Sequence, residues 1–103
     1  MTSSCCGPAA APPAPIDIDE LAALCKAIGH PARLQLLRHL ISHGDCYFGS
    51  LAEVLPLAPS TISKHVSILK EAGLIEGSSD LQRVCYCVRP ERLAQLKALI
   101  GAL

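Results

Sequence analysis

Apolar residues recur at helical spacing in two segments near the start of the chain. The first stripe comprises Leu21, Leu24, Cys25 and Ile28. Asp17 and Glu20 precede it at the three-residue spacing of a capping box, so the pattern predicts a helix that ends before Gly29. The second stripe comprises Leu34, Leu37, Leu40 and Ile41. Pro31 suits a first helical position and Gly44 suits an end, so a second helix is expected between them.

Two further apolar stripes follow with little chain between them. The first of these comprises Phe48, Leu51, Ala52 and Leu55. Pro56 closes this stripe, and Ser60 is a favourable N-cap for another helix that runs to Ala72, with Gly73 at its C-terminal cap. The segment 48–72 therefore predicts a helix, a tight turn and a second helix.

The predicted helix over 60–72 has an apolar and a polar side. Ile62, Val66 and Leu69 face the core. The opposite arc is short, polar and cationic, with members Ser60, Ser63, Lys64, Ser67 and Lys70, flanked by Thr61 and His65. Such side chains can contact phosphates and base edges in a DNA major groove, and a helix N-terminus attracts phosphate. A solvated helix face has the same composition, so the pattern alone leaves both interpretations open.

Two extended segments on either side of the turn-forming stretch 76–80 predict a β-hairpin, the wing. In the second segment the alternation places Val84, Tyr86 and Val88 on one face, and Arg83, Cys85, Cys87 and Arg89 on the other. Pro90 then opens a last helix whose stripe comprises Leu93, Leu96, Ile100 and Leu103. The apolar stripes are too many for a small monomer, so we expect a homodimer through the first and last helices.

These patterns predict a mainly α fold with a small β-hairpin, a winged helix-turn-helix. Residues 1–16 are rich in Pro and carry Cys5 and Cys6, so they are expected to form a flexible arm. Residues 17–103 are expected to form one domain for DNA binding and dimerisation.

Composition limits where such a protein works. Nine Lys and Arg balance nine Asp and Glu, so any attraction to nucleic acid must come from a local patch. The chain begins without a basic signal region, and no apolar run approaches the roughly 20 residues of a membrane helix, so a cytoplasmic protein is expected. In that compartment, the six cysteines are expected to serve metal binding or redox chemistry rather than structural disulfides.

Three stretches in this order, LAALCKAIGHPARLQLLRHL, GSLAEVLPLAPSTISKHVSILKEAGLI and RVCYCV, resemble the ArsR/SmtB family of metal- and metalloid-responsive repressors. The resemblance covers roughly residues 18–100. It implies a homodimeric winged-helix repressor that binds double-stranded operator DNA when empty and dissociates when a metal or metalloid binds. The family's DNA-contacting positions correspond here to Ser60, Thr61, Ser63, Lys64 and His65. Arg83 on the wing is expected to contact a backbone phosphate.

Soft thiolates favour As(III), Sb(III) or a soft divalent metal over hard cations, and a trivalent metalloid is satisfied by three sulfurs. Arsenic-responsive relatives commonly carry a CVC pair where this chain has CYFGS, with Cys46 alone. Other relatives complete the site with cysteines of a flexible N-terminal arm, a pattern that Cys5 and Cys6 fit. The expected inducer site is therefore Cys5, Cys6 and Cys46 for As(III), with Sb(III), methylated As(III) or a soft divalent metal as alternatives and no organic cofactor.

The remaining cysteines have other expected roles. Cys85 and Cys87 are the expected reserve site. Side chains two residues apart on a strand are separated by nearly 7 Å, which strains a shared small ion unless a third ligand helps, so a redox pair or simple contact with a neighbouring element are the alternatives. Cys25 is expected to pack in the core. Two alternative functions remain, a winged-helix repressor that senses oxidants or persulfides, and a thiol-rich metal-binding module without a DNA role. The sequence shows neither a nucleophile beside a base nor a cofactor loop, so an enzyme is not expected.

Overall fold

The computed structural model describes residues 15–44, 47–48, 51–79 and 84–103. Within these ranges the elements follow the order α1 (Ile18–Ile28), α2 (Pro31–His43), β1 (Tyr47–Phe48), a 3-10 turn (Leu51–Glu53), α3 (Pro59–Glu71), β2 (Ile75–Ser79), β3 (Val84–Val88) and α4 (Pro90–Gly101). None of the described helices has the length and apolar character needed to span a bilayer.

The helix boundaries predicted from capping residues are confirmed at several ends. The Asp17 carboxylate accepts a hydrogen bond from the Glu20 N–H at 3.0 Å, which satisfies a free donor at the start of α1. Pro31 and Pro90 occupy the first positions of α2 and α4, where their missing N–H costs nothing. Gly44 has a φ of 85°, a backbone conformation that favours glycine and ends α2.

The helix predicted over the third apolar stripe is wrong, because the chain forms only a 3-10 turn at Leu51–Glu53. Pro56 removes a backbone donor and disfavours helical geometry at Leu55, so too few residues remain to complete an α-helix. Leu51 and Leu55 are nevertheless buried. The following helix starts at Pro59, one residue before the predicted N-cap Ser60, and Ala58 takes the capping position without a side-chain hydrogen bond.

The predicted hairpin is confirmed, and β1 adds a third strand that was not predicted. The described strands lie in the order β1-β3-β2, and both neighbours of β3 are antiparallel to it. Tyr86 at the centre of β3 pairs with Tyr47 on one side and Gly77 on the other. Gly77 has a φ of 147°, and a Cβ there would overlap the carbonyl oxygen of Cys85. The wing therefore requires glycine at this position.

The hydrophobic core lies where the helices meet. Its fully buried side chains come from three helices and the residue that leads into β2, and they are Leu24, Leu36, Leu69 and Leu74. Tyr86 joins this cluster from the sheet. The prediction that Cys25 packs in the core is wrong, since Leu21, Leu24 and Ala27 form the buried stripe of α1 and Cys25 is exposed.

Arg92 in the first turn of α4 connects three helices. Its Nε donates to the carbonyl of Ala72 at the end of α3 at 3.0 Å, and its guanidinium pairs with Glu20 of α1. Gln95 also donates to Glu20, at 2.7 Å. The arrangement satisfies a carbonyl at the end of α3 and fixes α4 against α1.

Arg92→Ala is expected to lower the free energy of unfolding by about 1–3 kcal/mol, because Glu20 and the Ala72 carbonyl lose a charged donor while partly shielded from water. Urea denaturation at fixed protein concentration measures the change. Lys97→Ala is the matched control, since Lys97 is exposed on the same helix. Equal stabilities of the two variants would contradict this role of Arg92.

Candidate DNA interface and thiol groups

The polar face predicted on α3 is exposed in the structure. Its exposed members are Ser60, Ser63, Lys64, Ser67 and Lys70, while Thr61 is half-buried. The opposite stripe of Ile62, Val66 and Leu69 is buried in the core. Lys64 and Lys70 form no ion pair with any carboxylate of the described residues. The local positive charge that a DNA interface needs is therefore present on a protein without net charge.

Ser60 and Lys64 lie in the first two turns of α3, close to its N-terminus. Ala58 offers no side-chain acceptor to the first turn, so the partial positive charge of the helix is left for an external anion. Together with Lys64, this end of α3 can contact a DNA phosphate.

His65 is placed differently from the other predicted DNA contacts. Only 9% of it is exposed, and its ring faces the junction of α1 and α2. Its position three residues after Ile62 and four before Leu69 puts it on the apolar side of the helix. That spacing was the sequence signal that His65 belongs to the buried side.

The environment of His65 favours its neutral form. Burial lowers the pKa of its imidazole, and the nearby His30 and Arg33 lower it further by charge repulsion. The Arg33 guanidinium lies 3.2 Å from His65 Nδ1. His65 therefore connects α3 to the start of α2.

Three of the six cysteines lie within the described residues. Cys25 on α1 is exposed and free, Cys85 on β3 is half-buried and free, and Cys87 on β3 is half-buried and disulfide-bonded. Cys5, Cys6 and Cys46 lie outside the described residues, as does Arg83. The inducer site proposed on those thiols and the phosphate contact of Arg83 stay predictions.

Cys85 is free, while Cys87 is disulfide-bonded, and the roles expected of these two residues as a reserve metal site or a redox pair stay predictions. Cys25 is also free, so neither Cys25 nor Cys85 is the partner of Cys87. Within those ranges, no three or more His, Cys, Asp or Glu side chains are grouped so that they could hold a metal ion. A reserve metal site at Cys85 and Cys87 would need ligands from elsewhere.

Comparison with known proteins agrees with this architecture. A helix-turn-helix domain model matches residues 28–78, which include α2, α3 and the start of the wing. The ArsR family transcriptional regulator RHA00566 has the same fold, with a TM-score of 0.71, 21% identity and coverage of 84% of this chain and 88% of that one.

Two other solved structures have a higher sequence identity to this chain. A possible transcriptional regulator for arsenical resistance is 30% identical, with a TM-score of 0.62 and coverage of 82% of this chain and 83% of its own. The cadmium metal-sensor CmtR from Mycobacterium tuberculosis is 34% identical, with a TM-score of 0.54 and coverage of 81% of each chain. The chain belongs to the ArsR/SmtB family. It is a helix-turn-helix transcriptional regulator with a winged-helix fold.

Helix-turn-helix regulators place their second helix in the DNA major groove. In this ArsR/SmtB protein, α3 is that second helix. Membership in the family argues against a thiol-rich module without a DNA role. The region matched by the domain model ends before β3 and begins after the Pro-rich arm. The match therefore supports the DNA-binding part of this ArsR/SmtB protein and leaves its inducer to be proposed from the thiols.

Lys64→Ala is expected to weaken DNA binding and to reduce the slope of log affinity against log salt by about one unit, because one phosphate contact is lost. Fluorescence anisotropy measures this on a duplex selected by the wild-type protein from a random-sequence library. Lys97→Ala on α4 serves as the control of equal charge. A salt slope that Lys64→Ala leaves unchanged would remove Lys64 from the interface.

Proposed function

We propose that this protein is a transcriptional repressor that binds double-stranded operator DNA as a homodimer and dissociates when As(III) binds the thiolates of Cys5, Cys6 and Cys46. The observation that carries the proposal is the set of thiols in an ArsR/SmtB chain. An adjacent pair lies on a Pro-rich arm and a third cysteine closely follows α2. Sb(III), methylated As(III) or a soft divalent metal would use the same ligands.

The chemistry of the three thiols fits a trivalent metalloid. As(III) is satisfied by three sulfur ligands, and two adjacent cysteines present each other at high effective concentration. Residues 7–16, extended at about 3 Å per residue, span about 30 Å, which allows the arm of one subunit to reach the other. The relative described for arsenical resistance and the cadmium sensor support a soft inducer.

A homodimer is supported by apolar side chains left exposed on the first and last helices. Ile18 on α1 is 64% exposed, and Ile100 and Leu103 at the end of the chain are 44% and 71% exposed. The two helices pack against each other. A second copy covering this surface would bury these side chains and present two recognition helices to a two-fold symmetric operator.

Release follows from coupling between the two ligands. Binding the arm of one subunit near the end of α2 in its partner would change the spacing of the two α3 helices. Reciprocity requires DNA to weaken inducer binding by the same factor as inducer weakens DNA binding. A coupling of about 2–3 kcal/mol corresponds to about 30- to 150-fold weaker operator binding.

Replacing both Cys5 and Cys6 by Ser is expected to preserve DNA affinity and abolish its loss on addition of arsenite, because two of three sulfur ligands are removed. Anisotropy of the library-selected duplex, titrated anaerobically with arsenite, antimonite and cadmium, measures both quantities. Cys25→Ser is the matched control, since Cys25 is a free and exposed thiol on α1. Undiminished release by the double variant would exclude the arm site, and release by cadmium alone would exclude As(III) as inducer.

A second function, sensing of oxidants or persulfides by a disulfide, is favoured by the state of Cys87. Cys87 is disulfide-bonded, and its partner is not Cys25 or Cys85. Tyr47 lies opposite Tyr86, the residue before Cys87, and Cys46 directly precedes Tyr47 in the chain. We infer that Cys46 is the partner. Oxidation of the two thiolates would pass two electrons to a peroxide or persulfide and remove Cys46 from the metalloid site.

In this second function, the wild type is expected to lose DNA affinity on anaerobic addition of a mild disulfide oxidant and to regain it with a dithiol, whereas Cys87→Ser does not respond. Peptide mapping after alkylation identifies the bonded pair, and Cys85→Ser is the control from the same strand. An equal response of both variants, or a bond from Cys87 to the arm, would contradict the Cys46–Cys87 switch.

A further inference from the structure

Three side chains from α2 and α3 meet where α1 ends. Arg33, in the first turn of α2, donates from Nε to the carbonyl of Ala27 and from a terminal nitrogen to that of Lys26 at 3.2 Å. Its other terminal nitrogen lies 3.2 Å from Nδ1 of His65 on α3. The ring of His30, the N-cap of α2, lies 4.6 Å from the His65 ring between centroids. One guanidinium thus caps α1 and holds the recognition helix.

The contact fixes the protonation of His65. A guanidinium has only donors, so Nδ1 of His65 must be the acceptor and its ring proton must lie on Nε2. His30 has a separate task, because its Nδ1 accepts from the Ala32 N–H at 3.0 Å. The hydrogen bond to Arg33 therefore exists only while His65 is neutral.

We propose that the Arg33–His65 hydrogen bond is a proton-sensitive joint that sets the angle of α3 against α1 and α2, so that protonation of His65 weakens DNA binding. The inference rests on the DNA-binding role of α3. It identifies a positioning residue, because His65 is buried and acts on DNA through the exposed side chains of its own helix.

The charged groups around the joint do not compensate the positive charge of a protonated His65. His30 and Arg33 face His65 from α2, and Lys26 lies at the end of α1 beside Arg33. On α3, Glu71 lines an open cleft of about 420 Å³ together with Arg33, and Glu53 on the 3-10 turn is exposed. No carboxylate of the described residues forms an ion pair with His65 or Arg33. A protonated His65 would face cations and lose its partner.

Protonation of His65 lowers the stability of the folded protein. Burial, then His30 and Arg33, lower its pKa in the folded protein below the ordinary value of 6.5. The unfolded chain then binds more protons, so this contribution to stability is complete above 6.5 and is lost as the pH falls through the lower, folded value. The joint is expected to hold at neutral pH and to open in mild acid.

Nitrogen-15 NMR of the full-length protein tests the joint without DNA. His65 is expected to show an unprotonated Nδ1 and a protonated Nε2 at neutral pH, and to titrate below the ordinary imidazole value of 6.5. The opposite tautomer, or titration of His65 at or above 6.5, would overturn the proposal.

DNA binding on the library-selected duplex tests the consequence. As the pH falls from neutral to below the folded-state pKa of His65, the wild type should lose DNA affinity, by at most about tenfold for each unit by which DNA binding lowers that pKa. His65→Asn keeps an acceptor near the Nδ1 position but does not titrate, so it should hold its affinity across this range. His43→Asn is the matched control and should behave as the wild type.

Arg33→Lys provides a second variant in case His65→Asn folds poorly. It retains the charge but cannot hold two carbonyls and the ring together, so its DNA affinity at neutral pH should fall by about tenfold. Equal acid sensitivity of the wild type and His65→Asn, or full affinity in Arg33→Lys, would overturn the joint. Failure to select any duplex would contradict DNA binding itself, while the ring spectra would still report on the joint.

Discussion

The orientation of α3 depends on the burial of one stripe of its side chains. Ile62, Val66 and Leu69 enter the core where α1, α2 and the start of β2 meet, and His65 lies within the same stripe. Because these residues face inward, the Ser and Lys residues of the helix must face outward. The surface of α3 proposed to contact DNA is thus a consequence of core packing, and a change in the packing of α3 moves that surface as a unit.

Arginine side chains secure this arrangement where apolar contacts cannot. Arg33 and Arg92 each satisfy backbone carbonyls at a helix end, the first at α1 and the second at α3. Each also reaches a side chain on another helix, His65 and Glu20 respectively. Helix ends carry unpaired carbonyls, so a planar, permanently charged donor group can cap one helix and position another at the same time. This allows a small core to hold four helices in register.

Cys87, one of the thiols considered for regulation, lies on a different element from the α3 surface proposed to bind DNA. Cys87 lies on the central strand β3, and Tyr47, the residue after Cys46, pairs with the same strand. The α2 helix connects this region to the joint at Arg33 and His65, since Arg33 is in its first turn and β1 follows its last. A regulator needs its two ligands to favour different arrangements of one element. The α2 helix contacts both β3, which carries Cys87, and α3.

The family, the four α-helices that form and the position of the wing could be predicted from the sequence. Asp17, Pro31, Gly44 and Pro90 act through local backbone chemistry, which needs no distant contacts. The tertiary structure was needed to show that β1 joins the sheet, that Cys25 is exposed and that His65 lies against Arg33. The pairing of β1 with β3 and the contact of Arg33 with His65 join residues far apart in the sequence, and periodicity within one helix does not identify such partners.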